Sequence, residues 1–203
     1  MNKLIFLLLL LALAVVQPPA QSQGKLQPPP KKNYKYDGKI VTTYDKSKNE
    51  TLVLIQLMPV KDVEDPRPIL EDTADHPRDW SRLGFTMFFS YPGESATTPK
   101  DVSIGFLYEA LEPDRYKGHV LMAKIDGERL TLGKMEVLNT TMVNRRWAYQ
   151  PYTRRTLELI VPYEQLLRLA NAKKVKMTLG SFEFNLSKDH LDAIRDLASR
   201  TTP

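Results

Sequence analysis

Residues 161–200 constrain the fold more than any other part of the chain, because nearly all of their local signals agree. Apolar and polar residues alternate in two short runs, Val175–Leu179 and Phe182–Leu186, which is the pattern of half-buried strands. Gly180 and Ser181 separate the runs, and glycine adopts the positive φ of a tight turn without steric cost. We therefore predict a β-hairpin over this region.

Helices are predicted on both sides of this hairpin. After it, Ser187 is suited to cap a helix, whose apolar face consists of Leu191, Ile194, Leu197 and Ala198. Before it, a short amphipathic helix follows Pro162, with apolar residues Leu166, Leu167, Leu169 and Ala170. Agreement among so many local signals is typical of a folded domain.

Together with the C-terminal hairpin, the rest of the chain predicts about nine or ten short strands. Asp126-Gly127 is suited to a type I′ turn between two alternating runs, and residues 134–140 are expected to extend that hairpin past Gly133. The run TLVLIQL, residues 51–57, is apolar on both faces, which predicts a central strand. The predicted fold is mainly β (α+β), an antiparallel sandwich or partly open barrel with a short helix before the last hairpin and a C-terminal helix.

Four segments together resemble a group of exported bacterial domains of unknown function. They are YDKSKNET at residues 44–51, Pro99 ahead of the strand beginning near Val102, IDGERLTL at residues 125–132, and residues 156–197. The resemblance implies an exported β-rich domain with a C-terminal helix, and it implies no catalytic residues.

The N-terminus predicts export. Lys3 precedes an apolar run, Leu4–Val16, which has the length of a signal peptide and is short for a bilayer span. Ala20 and Ser22 are the small residues expected before a cleavage site. We predict a signal peptide over 1–22, a flexible Pro/Lys-rich linker over 23–38 and one globular domain over 39–203, located in the periplasm or secreted.

The composition limits the kinds of chemical site and partner that the protein can have. The 203-residue chain has no cysteine, so disulfides, thiol nucleophiles and thiolate metal sites are excluded, and the exported protein is expected to be bacterial. Its 29 Lys and Arg against 24 Asp and Glu permit an acidic partner without requiring one. No glycine-rich phosphate loop is present, so we expect no nucleotide cofactor, and no other cofactor is indicated. Outside the cytoplasm, a nucleic acid partner is not expected either.

Few residues have the spacing that catalysis or metal binding needs. His119 and His190 have no metal-ligand partner at helical spacing. His76 lies among four acids, Glu71, Asp72, Asp75 and Asp79. These acids either bind Ca²⁺ or pair with nearby arginines. Asp72-Thr73-Ala74 matches a fragment of the aspartic protease signature, but the flanking residues do not. We predict no catalytic residue and no metal site. For the alternative of glycoside cleavage, the candidate carboxylates are Glu94, Glu109 and Glu112.

One polar-aromatic segment predicts a binding surface. Between residues 144 and 155, arginines alternate with aromatic side chains, a combination that binds anions and stacks on flat ligands: Arg145, Arg146, Trp147, Tyr149, Tyr152, Arg154 and Arg155. The alternative is a connection whose aromatics fold back on the sheet. The basic residues of the linker, Lys31, Lys32 and Lys35, offer a second contact for an anionic surface.

These observations predict an exported, non-catalytic binding protein of the bacterial envelope or exterior. Its expected partners are an anionic envelope polymer, a membrane surface or another protein. The alternative function is a small secreted hydrolase that uses carboxylates, for example to cleave glycosides.

Overall fold

The computed structural model describes residues 26–36, 38–63, 81–110, 118–143, 151–180 and 182–201, with residues 61–63 and 81 described by their backbone. Ten strands and two helices lie within these ranges, with the following bounds: β1 Ile40–Asp45, β2 Glu50–Val63, β3 Ser81–Pro92, β4 Asp101–Ala110, β5 Val120–Ile125, β6 Glu128–Lys134, β7 Glu136–Val143, β8 Tyr152–Pro162, α1 Tyr163–Asn171, β9 Val175–Leu179, β10 Phe182–Asn185 and α2 Lys188–Ser199.

The strands form two antiparallel sheets. The larger sheet has six strands in the order β1-β2-β3-β4-β8-β7, and the smaller has four in the order β10-β9-β5-β6. This sandwich-like arrangement, with one helix before the last hairpin and one at the C-terminus, confirms the predicted fold class.

The core lies between the two layers. One face of the six-stranded sheet is covered by the four-stranded sheet and both helices, so the Phe106 ring meets Phe184 at 5.7 Å and the Phe85 ring meets His190 at 5.9 Å. Alternation along β3 and β4 supplies the buried residues of this face, as the sequence predicted: Phe85, Met87, Phe89, Val102, Ile104 and Phe106.

The last hairpin and the helices on both sides of it agree closely with the sequence prediction. Phe182 pairs with Leu179 across the turn, and Gly180 has a φ of +59°. Ser187 caps α2, because its Oγ accepts from the backbone N–H of His190 while the His190 ring accepts from the backbone N–H of Ser187. The predicted apolar faces of α1 and α2 are buried.

The turn at Asp126-Gly127 also matches, since both residues have positive φ, 49° and 101°. The Asp126 carboxylate accepts the backbone N–H groups of Lys173 and Lys174, which fixes the start of β9 beside this turn. These hydrogen bonds lower the pKa of Asp126.

The predicted extension of this hairpin past Gly133 is different in the structure. The chain turns a corner there, and β7 joins the six-stranded sheet rather than continuing beside β5. The bend has a physical reason: Gly133 has a φ of +148°, and a Cβ at this position would approach Leu159 to 3.0 Å.

The segment before the first strand contacts both helices without forming a helix or strand of its own. The Asn171 side chain of α1 donates to the Gln27 carbonyl at 3.2 Å, and the Tyr36 hydroxyl donates to Asp196 of α2 at 2.9 Å. We call residues 26–36 the N-terminal arm. The flexible linker over 23–38 and the other predicted domain limits stay predictions, since residues 1–25 lie outside the described ranges. Among the described residues, neither helix has the length and apolar composition that crossing a bilayer requires.

Candidate functional site

The outer face of the six-stranded sheet, turned away from the helices, carries a groove of about 650 Å³. Its floor follows from the strand register. Phe88 pairs with Ser103, and Ser103 with Ile160, so these three lining side chains form one row across β3, β4 and β8. Leu54 of β2 pairs with Phe88 and continues the row outside the groove lining. Ile160 is 63% exposed at the end of this row. The row is therefore apolar except for one hydroxyl.

A second, more polar row runs beside the first. Thr43 pairs with Leu52, which pairs with Ser90. The Ser90 hydroxyl donates to Glu50 at 2.5 Å, which holds that carboxylate at the end of the groove. The groove thus combines an apolar floor with hydroxyl groups along one side.

Charged residues of both signs stand at the same end of the sheet. Asp45 ends β1, Lys48 belongs to the β1–β2 turn, and Lys100 and Asp101 lie at the start of β4. The Ser47 hydroxyl and backbone N–H both donate to Asp45, and these hydrogen bonds lower the pKa of its carboxyl group. With Glu50, the lining has three carboxylates and two lysines. It has no excess of positive charge with which to attract a polyanion.

The predicted arginine-aromatic surface is described only in part. Arg145, Arg146, Trp147 and Tyr149 lie outside the described residues. Tyr152 is buried, at 4% exposed. Arg154 and Arg155 are neighbours on β8, so their side chains leave opposite faces of the sheet. The binding role of this segment stays a prediction.

Arg154 has a local partner. Its Nε donates to Glu109 Oε1 at 2.6 Å, and its Nη2 lies 2.6 Å from the same oxygen. The hydrogen bond to Glu109 raises the pKa of the guanidinium. Glu109 is only 3% exposed, and it lies directly opposite Arg154 in the strand register. A buried carboxylate needs such a partner, so this pair has a structural role.

The carboxylates considered for glycoside cleavage do not come together. Glu109 belongs to the row of Arg82 at the start of β3, whereas Glu94 follows the end of β3 at Pro92. Ten strand residues separate the two ends, a distance of about 30 Å. Catalytic pairs in glycosidases are about 5–10 Å apart, so Glu94 and Glu109 do not form such a pair. Glu112 lies outside the described residues, as do His76 and the acids near it.

The two described histidines have structural surroundings. His119 precedes β5 with a φ of +45°, and its carbonyl accepts the backbone N–H of Met135. His190 is 5% exposed inside the core. Within the described ranges, no three His, Asp or Glu side chains approach one another as a metal site would require.

The N-terminal arm lines a second depression of about 510 Å³ with the end of α2. Lys31 and Lys32 stand there beside Arg200 and Asp196. Arg200 and Tyr36 both donate to Asp196, and burial followed by this hydrogen bond raises the pKa of Tyr36. The depression therefore contains side chains that pair with one another, and two exposed lysines lie at its edge.

The groove was not predicted from the sequence, although residues 51–57 carry a signal of it. This run is apolar on both faces, which predicted a central strand. β2 is flanked by β1 and β3, but Leu52 and Leu54 are half-buried and Leu57 is 48% exposed. A strand apolar on both faces can thus indicate a ligand surface as well as a second core.

The chain matches no family model, no curated protein and no solved structure. The resemblance to exported bacterial domains of unknown function accordingly stays a prediction.

Proposed function

We propose that this protein is an exported, non-catalytic binding protein whose outer groove takes an extended segment of a partner polypeptide. The single observation that supports this proposal is the row Phe88, Ser103 and Ile160, which with Leu52 forms an apolar floor beside hydroxyl groups on a sheet face. Export rests on the predicted signal peptide over 1–22.

The size of the expected energies favours a polymer over a small ligand. Burying one Leu-sized side chain contributes about 1.5–3 kcal/mol, which is less than the 4–15 kcal/mol that association costs in orientational freedom. Several consecutive contacts are needed, and the row across β3, β4 and β8 provides them together with Leu52 of β2.

The charges favour a polypeptide over the other expected partners. Three carboxylates and two lysines around the groove would repel a polyanion or an anionic membrane slightly, whereas a peptide carries charges of both signs. Hydroxyls such as those of Thr43 and Ser103 can bond backbone amide groups.

An array of immobilised decapeptides with varied apolar and charged residues tests this function. The chain from Gln23 to Pro203 is expected to retain peptides that contain Leu, Ile, Val or Phe. The substitution Ile160→Glu should weaken this retention at least ten-fold, because it places a charge on the apolar floor. The control is Met122→Glu, at a side chain 40% exposed on the outer face of the other sheet.

Melting temperatures establish that both variants fold, since substitutions at exposed positions change stability by only about 0.5 kcal/mol. Equal retention by the wild type and Ile160→Glu would place binding elsewhere. Retention of polyglutamate but of no apolar peptide would contradict a polypeptide ligand. Cleavage of retained peptides, detected by mass spectrometry, would contradict a non-catalytic function.

A further inference from the structure

β7 is the least protected edge strand among the described residues. Seven of its eight residues are exposed, including Val137, Leu138 and Met142 at 41%, 54% and 68%. Its single charge is Glu136, and it has no proline. Proteins usually protect edge strands with charges, proline or short length, because an unpaired edge offers free backbone N–H and C=O groups to another chain.

The other three sheet edges are shorter, more highly charged or less exposed than β7. β10 has only four residues. β6 contains three charged residues, Glu128, Arg129 and Lys134. In β1, four of six residues are half-buried and the strand ends in Asp45. The contrast singles out β7 as the edge suited to pairing.

The sequence of β7 fits a second copy of itself. Its register with β8 shifts between Val137 and Asn139, so the regular part of the strand is Asn139–Val143, which is uncharged. A two-fold axis through the centre of this run places Thr141 opposite the same residue of the second copy. Asn139 then faces Val143, and Thr140 faces Met142.

This register is consistent with the faces of the sheet. Paired residues of antiparallel strands share a face. Thr140 and Met142 lie on one face, paired with Arg155 and Thr153 of β8, while Thr141 lies on the other, paired with Arg154. Each residue therefore meets a partner on its own face, and no like charges come opposite one another. Cross-strand Thr–Thr pairs stabilise sheets.

We propose that two copies of the protein associate through an antiparallel β7–β7 pair and so form a continuous twelve-stranded sheet. A closed two-fold contact uses the same patch on both copies. The run Asn139–Val143 meets this requirement, because it pairs with the same run of the second copy. Five residues on each side bury less than the roughly 1,200 Å² typical of stable complexes. The dimer is therefore expected to be weak, with a dissociation constant in the micromolar range or above.

Sedimentation equilibrium of the chain from Gln23 to Pro203, from about 5 to 500 µM, measures this association. The wild type should shift from monomer to dimer. Thr141→Lys should weaken association at least ten-fold, because it places two lysines opposite one another on the axis. Thr131→Lys makes the same change at an exposed position of the β6 edge and should leave the dimer intact.

The absence of cysteine allows a second measurement. Thr141→Cys supplies one thiol per chain on the proposed axis, where the paired Cβ atoms are about 4.5–5.5 Å apart. Under mild oxidation it should form a disulfide-linked dimer at least ten times faster than Thr131→Cys, which reports random collisions. A monomer at every concentration, a dimer unaffected by Thr141→Lys, or equal cross-linking rates would each overturn the β7–β7 pair.

Discussion

His190 has two roles at the start of α2. Its ring accepts the backbone N–H of Ser187 and so completes the capping box, and it packs edge-on against Phe85 in the core. Because Nδ1 accepts this hydrogen bond, the neutral ring carries its proton on Nε2, which is buried and makes no hydrogen bond of good geometry. Burial lowers the pKa of His190, although the charge of Asp189 and the nearby carbonyl of Pro59 oppose this effect.

This burial predicts a loss of stability in mild acid. Below pH 6.5, the ordinary pKa of histidine, the unfolded chain binds a proton at His190 while the folded protein does not. The contribution of the neutral ring to the unfolding free energy is therefore complete above pH 6.5, and it decreases as the pH falls below that value. His190→Gln retains a side-chain acceptor for the capping box. Urea unfolding at pH 7.5 and 5.5 should show a smaller decrease in unfolding free energy for this variant than for the wild type, and equal decreases would contradict the assignment.

The sequence placed His190 correctly in the first helical turn but did not predict its burial. The periodicity of a helix is a local property of the sequence, whereas the burial of one of its residues is not. The contact with Phe85 joins residues about a hundred positions apart, and such contacts follow from how the layers stack rather than from the pattern of either element.

Besides their apolar packing, the two helices are joined by the hydrogen bonds of one side chain. Arg195 of α2 donates to the carbonyls of Ala170 and Ala172 at the C-terminal end of α1, at 3.1 and 2.6 Å. It also donates to Asp192 at 2.7 Å. The last carbonyls of a helix have no partner within the helix, and a cation there also interacts favourably with the helix dipole.

Replacing Arg195 should therefore destabilise the contact between the helices. Arg195→Met leaves the two carbonyls without this donor and leaves Asp192 with Lys188 as its remaining partner, and we expect a loss of about 2–3 kcal/mol of unfolding free energy. Arg129→Met, at an exposed position of β6, should change it by less than about 0.5 kcal/mol. Denaturant unfolding of both variants measures the difference, and similar values for the two would show that the helices are held together by apolar packing alone.

At the scale of elements, the apolar stripe of α2 was predictable and the burial of some of its polar residues was not. Asp192 and Ser199 are buried as well, at 8% and 4% exposed. Tyr36 of the N-terminal arm contacts Asp196, a residue 160 positions away. The composition of the arm, rich in proline and lysine, is typical of a solvated linker, so a local pattern gave no signal of this contact.

At the scale of the whole molecule, the sandwich follows from strand periodicity, whereas the groove depends on how the layers stack. Val53 and Ile55 of β2 are buried against the helices and the second sheet, but Leu52 and Leu54 on the opposite face are only half-buried. Both sets have the same apolar character in the sequence. Which face is left without a covering layer is decided by the path of the chain between sheets, for example at Gly133.

Export is the remaining property of the whole chain that can be measured directly. If cleavage follows Ser22, the mature protein begins at Gln23 and keeps the N-terminal arm, so its contacts with Asn171 and Asp196 survive processing. Intact mass of protein recovered from the periplasm or medium of an expressing bacterium should show the loss of residues 1–22. Ser22→Phe should prevent cleavage because the position before the cut requires a small side chain, while Gln21→Phe should be processed normally. A full-length wild-type product held in the inner membrane would contradict both the cleavage site and the exported location.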